Sequence, residues 1–446
     1  MGYEKDIQDF AVSHMNLCAK NDKIPDSLFK EYEVYRGLRD ENGRGVLTGL
    51  TGISEIISFN DNPDGTRTPI DGRLWYRGYP IENLVDRYAS GRFAYEKVTY
   101  LLLFGQLPDK KDTAEFTQIL AEARQLPTNF TRDVIMKAPT EDIMNSMTRS
   151  ILTLASYDPD ATRTDLVNVI RQCIQLIATF PMLAIYAYHA YNHYENLDSM
   201  YIHWPEAEYS TAENILRMLR PDKQFTPIEA IVLDTALMLH MEHGGGNNST
   251  FTTRVVTSSG SDTYATVAAA MSSLKGPKHG GANLKVMEMM EDIKTHVRDP
   301  KDDDEVRDYL NRMLGGSVFD HKGLIYGMGH AVYSISDPRE RVFKQFVDRL
   351  AAAKGRTDDL ALYESIERLA PEVIAEQRHI YKGVSPNVDF YSGFVYEMLG
   401  IPRELFTPMF AIARISGWSA HRLEELVGMG KILRPAYRSV MVRKEE

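Results

Sequence analysis

The chain has 446 residues, of which 43% are hydrophobic and 25% charged, so it is long enough for two domains with sizeable cores, and wholesale disorder is excluded. A net charge of −11 excludes the basic surface that non-specific nucleic-acid binding needs, and it requires any pocket for an anion to be locally basic against an acidic background. The two cysteines, Cys18 and Cys173, form neither a disulfide framework nor a thiolate zinc site, which fits a reducing, cytoplasmic setting.

The first twenty residues, MGYEKDIQDFAVSHMNLCAK, lack the apolar core of a signal peptide. Nothing before Val46 carries a recognisable motif. Glu55–Phe59 and Arg73–Tyr76 read as strands flanking a turn-rich segment, Asn60–Gly72, and predict a small hairpin. Most of the remainder reads as helix, without internal repeats. The most apolar stretch, Leu176–Tyr186, contains Pro181 and is too short to span a bilayer, so a buried helix is expected and no membrane partner.

Thr226-Pro227-Ile228-Glu229 predicts a helix start, with Thr226 as cap, Pro227 at the first position and Glu229 closing a capping box. Ile228, Ile231, Val232, Thr235 and Leu239 then share a face, and the helix is expected to deliver His240 and His243 before Gly244–Gly246 stop it. A second helix is expected over Thr263–Leu274, and a third with Asn283 as its cap; the glycine-rich segment 275–282 between them is a loop. The charge clusters Arg298–Arg307 and Lys354–Asp359 read as solvated connections. Thr407-Pro408 opens a further helix carrying Arg414.

The chemistry lies in where the histidines sit. His243, His279 and His330 each neighbour glycines, and Asp389 lies in Pro386-Asn-Val-Asp-Phe-Tyr-Ser-Gly393. Glycine lets backbone approach a ligand closely, so a histidine on such a loop is free to face a cleft. Arg414, on a mostly apolar helix face, demands an anionic partner. His240 and His243 stand at a spacing that would suit a metal pair on one helix, yet no carboxylate motif accompanies them and no metal is expected. Walker A, complete GxGxxG, GxSxG and HExxH patterns are absent, and the sequons at Asn129, Asn247 and Asn248 carry no weight in a cytosolic chain.

Four blocks, LKGPKHGGAN, GMGHAVYSISDPR, SPNVDFYSG and FAIARISGW, resemble the signature blocks of the citrate synthase family, in the family's order. GRLWYRGYPIENL and YLLLFGQLP match more weakly, and the resemblance covers roughly residues 45 to 440. It implies a mostly α, two-domain citrate synthase-like fold with a large domain from residues 1–280 and 392–446 and a small domain at 281–391, closing about a cleft. It implies condensation of acetyl-CoA with oxaloacetate, with no permanently bound cofactor and acetyl-CoA as co-substrate. Asp389 is then the base that takes a methyl proton, His279 the donor to the thioester oxygen, and His330 the activator of the oxaloacetate carbonyl. His243, Arg339 and Arg414 bind oxaloacetate, together with Arg434, in KILRPAY, from a partner subunit, which implies a homodimer or a dimer-based oligomer. Leu324, Ile325, Gly327, Met328, Gly329 and Asn387 hold CoA, Phe410 closes on the site, and Lys275, Lys278 and Lys322 are candidates for the CoA phosphates. Glu242-His243 stands where the family more often has Asp-His, which bears on fine substrate preference. The competing readings are a 2-methylcitrate synthase using propionyl-CoA, a catalytically silent scaffold of the same fold, and a metal-dependent hydrolase built on His240 and His243.

The chemistry asks for these residue types on its own account. A carboxylate is a weak base and a thioester α-proton a weak acid, so abstraction works only if the developing enolate oxygen receives a hydrogen bond as it forms. A dicarboxylate calls for planar, bidentate cations, which arginine supplies.

Overall fold

The computed structural model describes residues 2–40, 44–329, 332–379, 383–428 and 430–441. The chain forms two units, Met1–Gly49 with Arg434–Glu446, and Leu50–Leu433.

The first unit holds α1 (Gly2–Asn21) and α2 (Asp26–Glu31). Every described side chain of α1 from Glu4 to Asn21 is exposed. The C-terminal arm belongs to this unit, with the Arg438 guanidinium 5.4 Å from the centre of the Tyr32 ring.

The second unit opens with an antiparallel hairpin, β1 (Ser54–Asp61) and β2 (Arg67–Tyr76), extended by the short β3 (Tyr79–Pro80) in the order β1-β2-β3. The hairpin is longer than its sequence suggests. Asn62 Nδ2 donates to the hydroxyls of Thr66 and Thr68 at 2.9 and 3.0 Å, and Asp64 accepts the Thr66 N–H at 2.9 Å. These bonds compress the reversal into residues 62–66 and free Arg67–Gly72 to pair as strand.

Helices make up nearly all of the rest: α3 (Ile81–Tyr88), α4 (Ala94–Phe104), α5 (Lys110–Ala123), α6 (Ile143–Leu154), α7 (Leu166–Asn196), α8 (Thr211–Leu219) and α9 (Pro227–His240). They continue as α10 (Asn248–Ser258), α11 (Thr263–Leu274), α12 (Ala282–His296), α13 (Asp303–Leu314), α14 (Pro338–Lys354), α15 (Thr357–Arg378), α16 (Asp389–Met398) and α17 (Phe406–Gly428). The fold is mostly α, as the sequence reading expected.

Helix starts follow side-chain caps. At α9 the Glu229 N–H reaches Thr226 Oγ1 at 3.4 Å while the Thr226 N–H reaches Glu229 Oε2 at 2.7 Å. Three expectations need correction. Helix α9 stops at His240, so His243 lies in the loop beyond it and not on the same helical face. Helix α12 begins at Ala282 after Gly281, which places Asn283 inside the first turn. Residues 303–307 form the first turns of α13, because the Asp302 carboxylate accepts the Asp304 N–H at 2.9 Å and caps it.

By length and composition alone the 31-residue α7 is long and apolar enough to cross a membrane, although its apolar stretch is shorter. Leu176–Tyr186 are all buried, and α7 packs on α5, α6, α8 and α17. Buried from Pro408 to Leu423, α17 runs through the core against α4, α7, α9, α10 and α11. The expected division after residue 391 falls inside α16.

Gly72 joins the hairpin to the entry of α14. Its N–H donates to Ser336 Oγ at 3.2 Å, and a β-carbon there would overlap the Ser336 carbonyl and the Tyr333 ring. Gly72→Ala is therefore expected to cost about 1–3 kcal/mol of stability by overpacking. A lowered midpoint in denaturant, relative to the parent protein, is the measurement that checks it.

Candidate active site

Helix α17 contributes two buried arginines two turns apart on one face. Arg422 is fully satisfied: Nε donates to Thr263 Oγ1 at 3.2 Å, Nη1 to Thr257 and Thr266 hydroxyls at 3.1 and 3.0 Å, and Nη2 to the Ser261 carbonyl at 3.0 Å. Arg414 is not. Its Nε donates to the His240 carbonyl at 2.8 Å, but Nη1 and Nη2, both buried, meet no acceptor among the described residues. The Phe410 ring lies 4.6 Å under its guanidinium, a favourable but weak substitute for an anion. Burial lowers the Arg414 pKa to about 10, with Glu242 opposing the shift, so the group remains charged at neutral pH. A buried cation with two unused donor groups is costly, and it is tolerated where an anion is to be bound.

His279 sits on the tight turn after α11, where a β-carbon on Gly280 would overlap the Leu274 carbonyl. The Ser249 N–H donates to His279 Nε2 at 3.4 Å, and Ser249 Oγ stands 3.1 Å from the same nitrogen. An N–H has no other role than donor, so Nε2 is the acceptor and the ring proton belongs on Nδ1. Ser249 is itself fixed by the Trp418 indole, whose N–H donates to Oγ at 3.1 Å. Burial, helped by the Arg414 charge, lowers the His279 pKa to about 4, which makes it a neutral donor.

Asp389 opens α16 and is half-buried. Desolvation raises its pKa to about 6, with the Arg339 charge working against the shift. The loop that carries it is zipped to the glycine-rich loop at 324–329. Gly329 N–H donates to the Ser385 carbonyl at 2.8 Å, Asn387 N–H to the Gly327 carbonyl at 2.9 Å, and Asn387 Nδ2 to the Gly329 carbonyl at 2.8 Å. Asn387 Oδ1 then accepts the Asp389 N–H at 3.0 Å. Gly327 has φ +79°, and a β-carbon there would press on Phe390 and Val286, so glycine is required.

Arg339 is buried and forked onto Asp337, with Nε 3.0 Å from Oδ1 and Nη2 2.6 Å from Oδ2. Burial opposes its charge, but the Asp337 carboxylate outweighs that and raises its pKa. Asp337 Oδ2 also accepts the Val388 N–H at 3.3 Å, which ties the start of α14 to the residue before Asp389.

His243 Nε2 lies 3.2 Å from the Tyr333 hydroxyl. Its loop is pinned by buried Glu242, whose Oε1 accepts from Gly244 N at 2.6 Å, Ser54 Oγ at 2.9 Å and His421 Nε2 at 3.0 Å. Arg254 donates to His421 Nδ1 at 2.8 Å, so the imidazole proton is on Nε2, facing Glu242. Although burial opposes it, the Glu242 pKa falls to about 2, through His421, the Arg414 charge and the Ser54 bond.

The residues singled out in the sequence distribute as follows. The Arg414 charge acts on both His279 and Asp389, and that of Arg339 acts on Asp389 and His240, so these groups share one electrostatic neighbourhood. Phe410 stands edge-on to His240 and His279, with ring centres 5.0 and 6.5 Å away. His240 itself is buried, gives Nδ1 to the Ala236 carbonyl at 2.8 Å, and has its pKa lowered by burial to about 3. Among the described residues no group of three or more His, Cys, Asp and Glu side chains is disposed to hold a metal. Leu324 is exposed and Ile325 buried; the main chains of Gly327, Met328 and Gly329 face residues 385–387. Lys275 and Lys322 are paired with Asp142 and Asp320. His330 lies outside the described residues, and Arg434 is an exposed residue of the other unit. The sequence reading does not single out Ser249, Asp337, Tyr333, His421 or Arg254, and it notes Glu242 only as the residue before His243. Only Asp337 gave a signal, as a cap residue directly before Pro338.

The chain matches the family model described as "Citrate synthase, C-terminal domain" over residues 41–436. It is 35% identical over 395 residues to a citrate synthase of Synechocystis, covering 87% of this chain and 89% of that one. It is 32% identical over 422 residues to a citrate synthase of Corynebacterium glutamicum, covering 91% of each. The crystal structure of citrate synthase from Pyrobaculum aerophilum superposes with a TM-score of 0.73 at 29% identity, covering 91% of this chain and 93% of that one.

Because Arg414 is charged, buried and short of acceptors, Arg414→Leu is expected to stabilise the ligand-free protein, by about 1–3 kcal/mol. Unfolding in denaturant without ligand checks this, and a clearly destabilised variant would mean that its amino groups are already satisfied.

Proposed function

Because the chain belongs to the citrate synthase family and is an acyltransferase of that type, we propose that it condenses acetyl-CoA with oxaloacetate and water to give citrate and free CoA through the groups around Arg414. The observation that carries this reading is the set of unused Arg414 donors beside a recessed carboxylate and a neutral histidine.

Oxaloacetate offers one carboxylate to Arg414 and places the other within reach of Arg339, whose Nη1 donates to nothing among the described residues. His243 and His330 are the residues assigned to the keto end. The thioester of acetyl-CoA lies along the loop of Leu324, Ile325, Gly327, Met328 and Gly329, with Asn387 behind it. Asp389 takes a proton from the methyl group as His279 Nδ1–H donates to the thioester oxygen. The enol carbon then attacks the keto carbon of oxaloacetate, and His330 gives a proton to the oxygen that becomes the hydroxyl of citryl-CoA. Water cleaves that thioester to citrate and CoA. Neutral His279 suits the task, since an imidazolium would surrender its proton instead of sharing it.

The site closes when residues 281–391 move against the rest, and a second copy supplies Arg434, so the working form is a homodimer or a dimer-based oligomer. No cofactor is held permanently, and the setting is cytoplasmic. Propionyl-CoA differs by one methyl, a difference worth about 1–3 kcal/mol in an apolar pocket, so the ratio of kcat/KM for the two thioesters separates citrate from 2-methylcitrate synthesis. A silent scaffold would release no CoA from either.

Asp389 must be ionised to act, and its pKa is raised to about 6. With acetyl-CoA varied, kcat/KM is therefore expected to be level above that pH and to fall about tenfold per pH unit below it. Asp389→Asn should abolish condensation with little loss of oxaloacetate affinity; a substantially active variant would falsify the assignment of the base. Arg414→Leu should weaken oxaloacetate binding by at least about 2 kcal/mol in calorimetry, the worth of a buried charged hydrogen-bond pair.

A further inference from the structure

Helix α1 is a 20-residue helix with every described side chain exposed. In proteins most of a helix's stability comes from packing one face against a partner. Ile7, Phe10, His14 and Leu17 follow the alternating three- and four-residue spacing of a helix-pairing seam, and Ile7, Phe10 and Leu17 are 56%, 64% and 56% exposed. Phe10 and His14 already stack, with ring centres 3.9 Å apart, into one flat plate on this stripe.

The charges beside the stripe choose between partners. Asp6, Ser13 and Lys20 line one flank; Glu4, Ala11 and Cys18 line the other. In a parallel pair the flank contacts are Asp6 with Ala11 and Ser13 with Cys18 of the second helix, which hold no opposite charges. In an antiparallel pair Ile7 meets Leu17, Phe10 meets His14, and Asp6 meets Lys20, each twice by symmetry. The two aromatic plates then meet at the two-fold axis, and each helix start lies beside the other's end, where the dipoles attract. Val12 and Met15 fall on the outer side and take no part.

We propose that α1 is a self-association element that pairs antiparallel with α1 of a second copy of this chain, through the Ile7–Phe10–His14–Leu17 stripe and reciprocal Asp6–Lys20 contacts. The inference does not draw on the reaction assigned above, since none of these residues is given a part in it.

The test uses the full chain with Cys18→Ser, in which the remaining Cys173 is buried. Asp6→Cys, Lys20→Cys and the double variant are treated with a short bis-maleimide. The double variant is expected to yield covalent dimers and each single variant none, because like positions are about 21 Å apart along an antiparallel pair. Adding Phe10→Asp should lower the dimer yield about tenfold by placing an unpaired charge in the seam, while Val12→Asp should leave it unchanged. Cross-linking in a single variant would replace the antiparallel pair by a parallel one, and no cross-link in any variant would overturn the pairing. Since the cysteines remove the charges at issue, a second series reads cross-linking through Ala11→Cys, which abuts its own copy across the axis. There Asp6→Lys and Lys20→Asp should each reduce the yield and their combination restore it; indifference to all three also overturns the proposal.

Discussion

The site depends on one uncompensated charge. Arg414 is held by the His240 carbonyl and the Phe410 ring, and by no carboxylate within bonding distance among the described residues. A dedicated counter-ion would stabilise the empty protein and would also block anion binding. The fold instead leaves the demand open, and the charge reaches the neighbours: it helps keep His279 neutral and restrains the rise in the Asp389 pKa. One residue therefore offers open donors to an anion and biases the protonation of two groups around it. That is possible because α17 is buried along most of its length, so little water is available to screen the charge.

Around this charge the positioning is done largely by backbone. The loop at 324–329 and the loop at 383–389 exchange main-chain bonds, and Asn387 links both to the Asp389 N–H. Asp337 serves three functions: it caps α14, neutralises Arg339 and accepts the Val388 N–H. Carboxylate and glycine-rich loop are consequently one mechanical piece. The histidines are fixed differently, through obligate donors that choose the tautomer: the Ser249 N–H for His279, and Arg254 for His421 behind Glu242. This division suits the chemistry, since a base has only to be aimed and desolvated, whereas an imidazole must also present its proton from one particular nitrogen.

How much of this was legible in the sequence follows from range. The cap, proline and capping box at Thr226–Glu229 are local, and that helix starts where they say. Its end was not legible, because Gly244–Gly246 mark a stop while the helix yields at His240, where the carbonyl is taken by Arg414 from another helix. The hairpin turn is tighter than the turn-rich text suggests, because the clamp of Asn62 on Thr66 and Thr68 depends on side-chain geometry. Arg414 and Arg422 make the limit plain. Both stand in one buried helix, two turns apart, Arg414 in apolar text and Arg422 between His421 and the pair Glu424–Glu425. Threonines 257, 263 and 266, more than 150 residues away, help satisfy one of them, whereas Nη1 and Nη2 of the other meet no acceptor among the described residues. The motif blocks and the apolar face around it both mark Arg414, but neither shows that its Nη1 and Nη2 stay open.

An acidic chain that binds an anion was expected to carry a basic basin. The described site is more economical than that. Arg339 is neutralised by Asp337, the histidines at positions 240 and 279 are uncharged, and Arg414 has no carboxylate partner among the described residues. Two bare guanidiniums would repel each other, as the depressing effect of Arg339 on Arg414 indicates, and each would carry its own desolvation cost before any ligand arrived. Pairing one with Asp337 removes that cost and leaves Nη1 of Arg339 for a second carboxylate group. A dianion entering such a site would meet one full charge and one polarised donor, not a uniform positive field. Discrimination would then rest on where the two carboxylates fall relative to these two donors, so a dianion of another length would satisfy Arg414 and miss Arg339. The net charge of −11 is compatible with this arrangement, because the field is concentrated on a single buried group that surface charge, screened by solvent, does little to oppose.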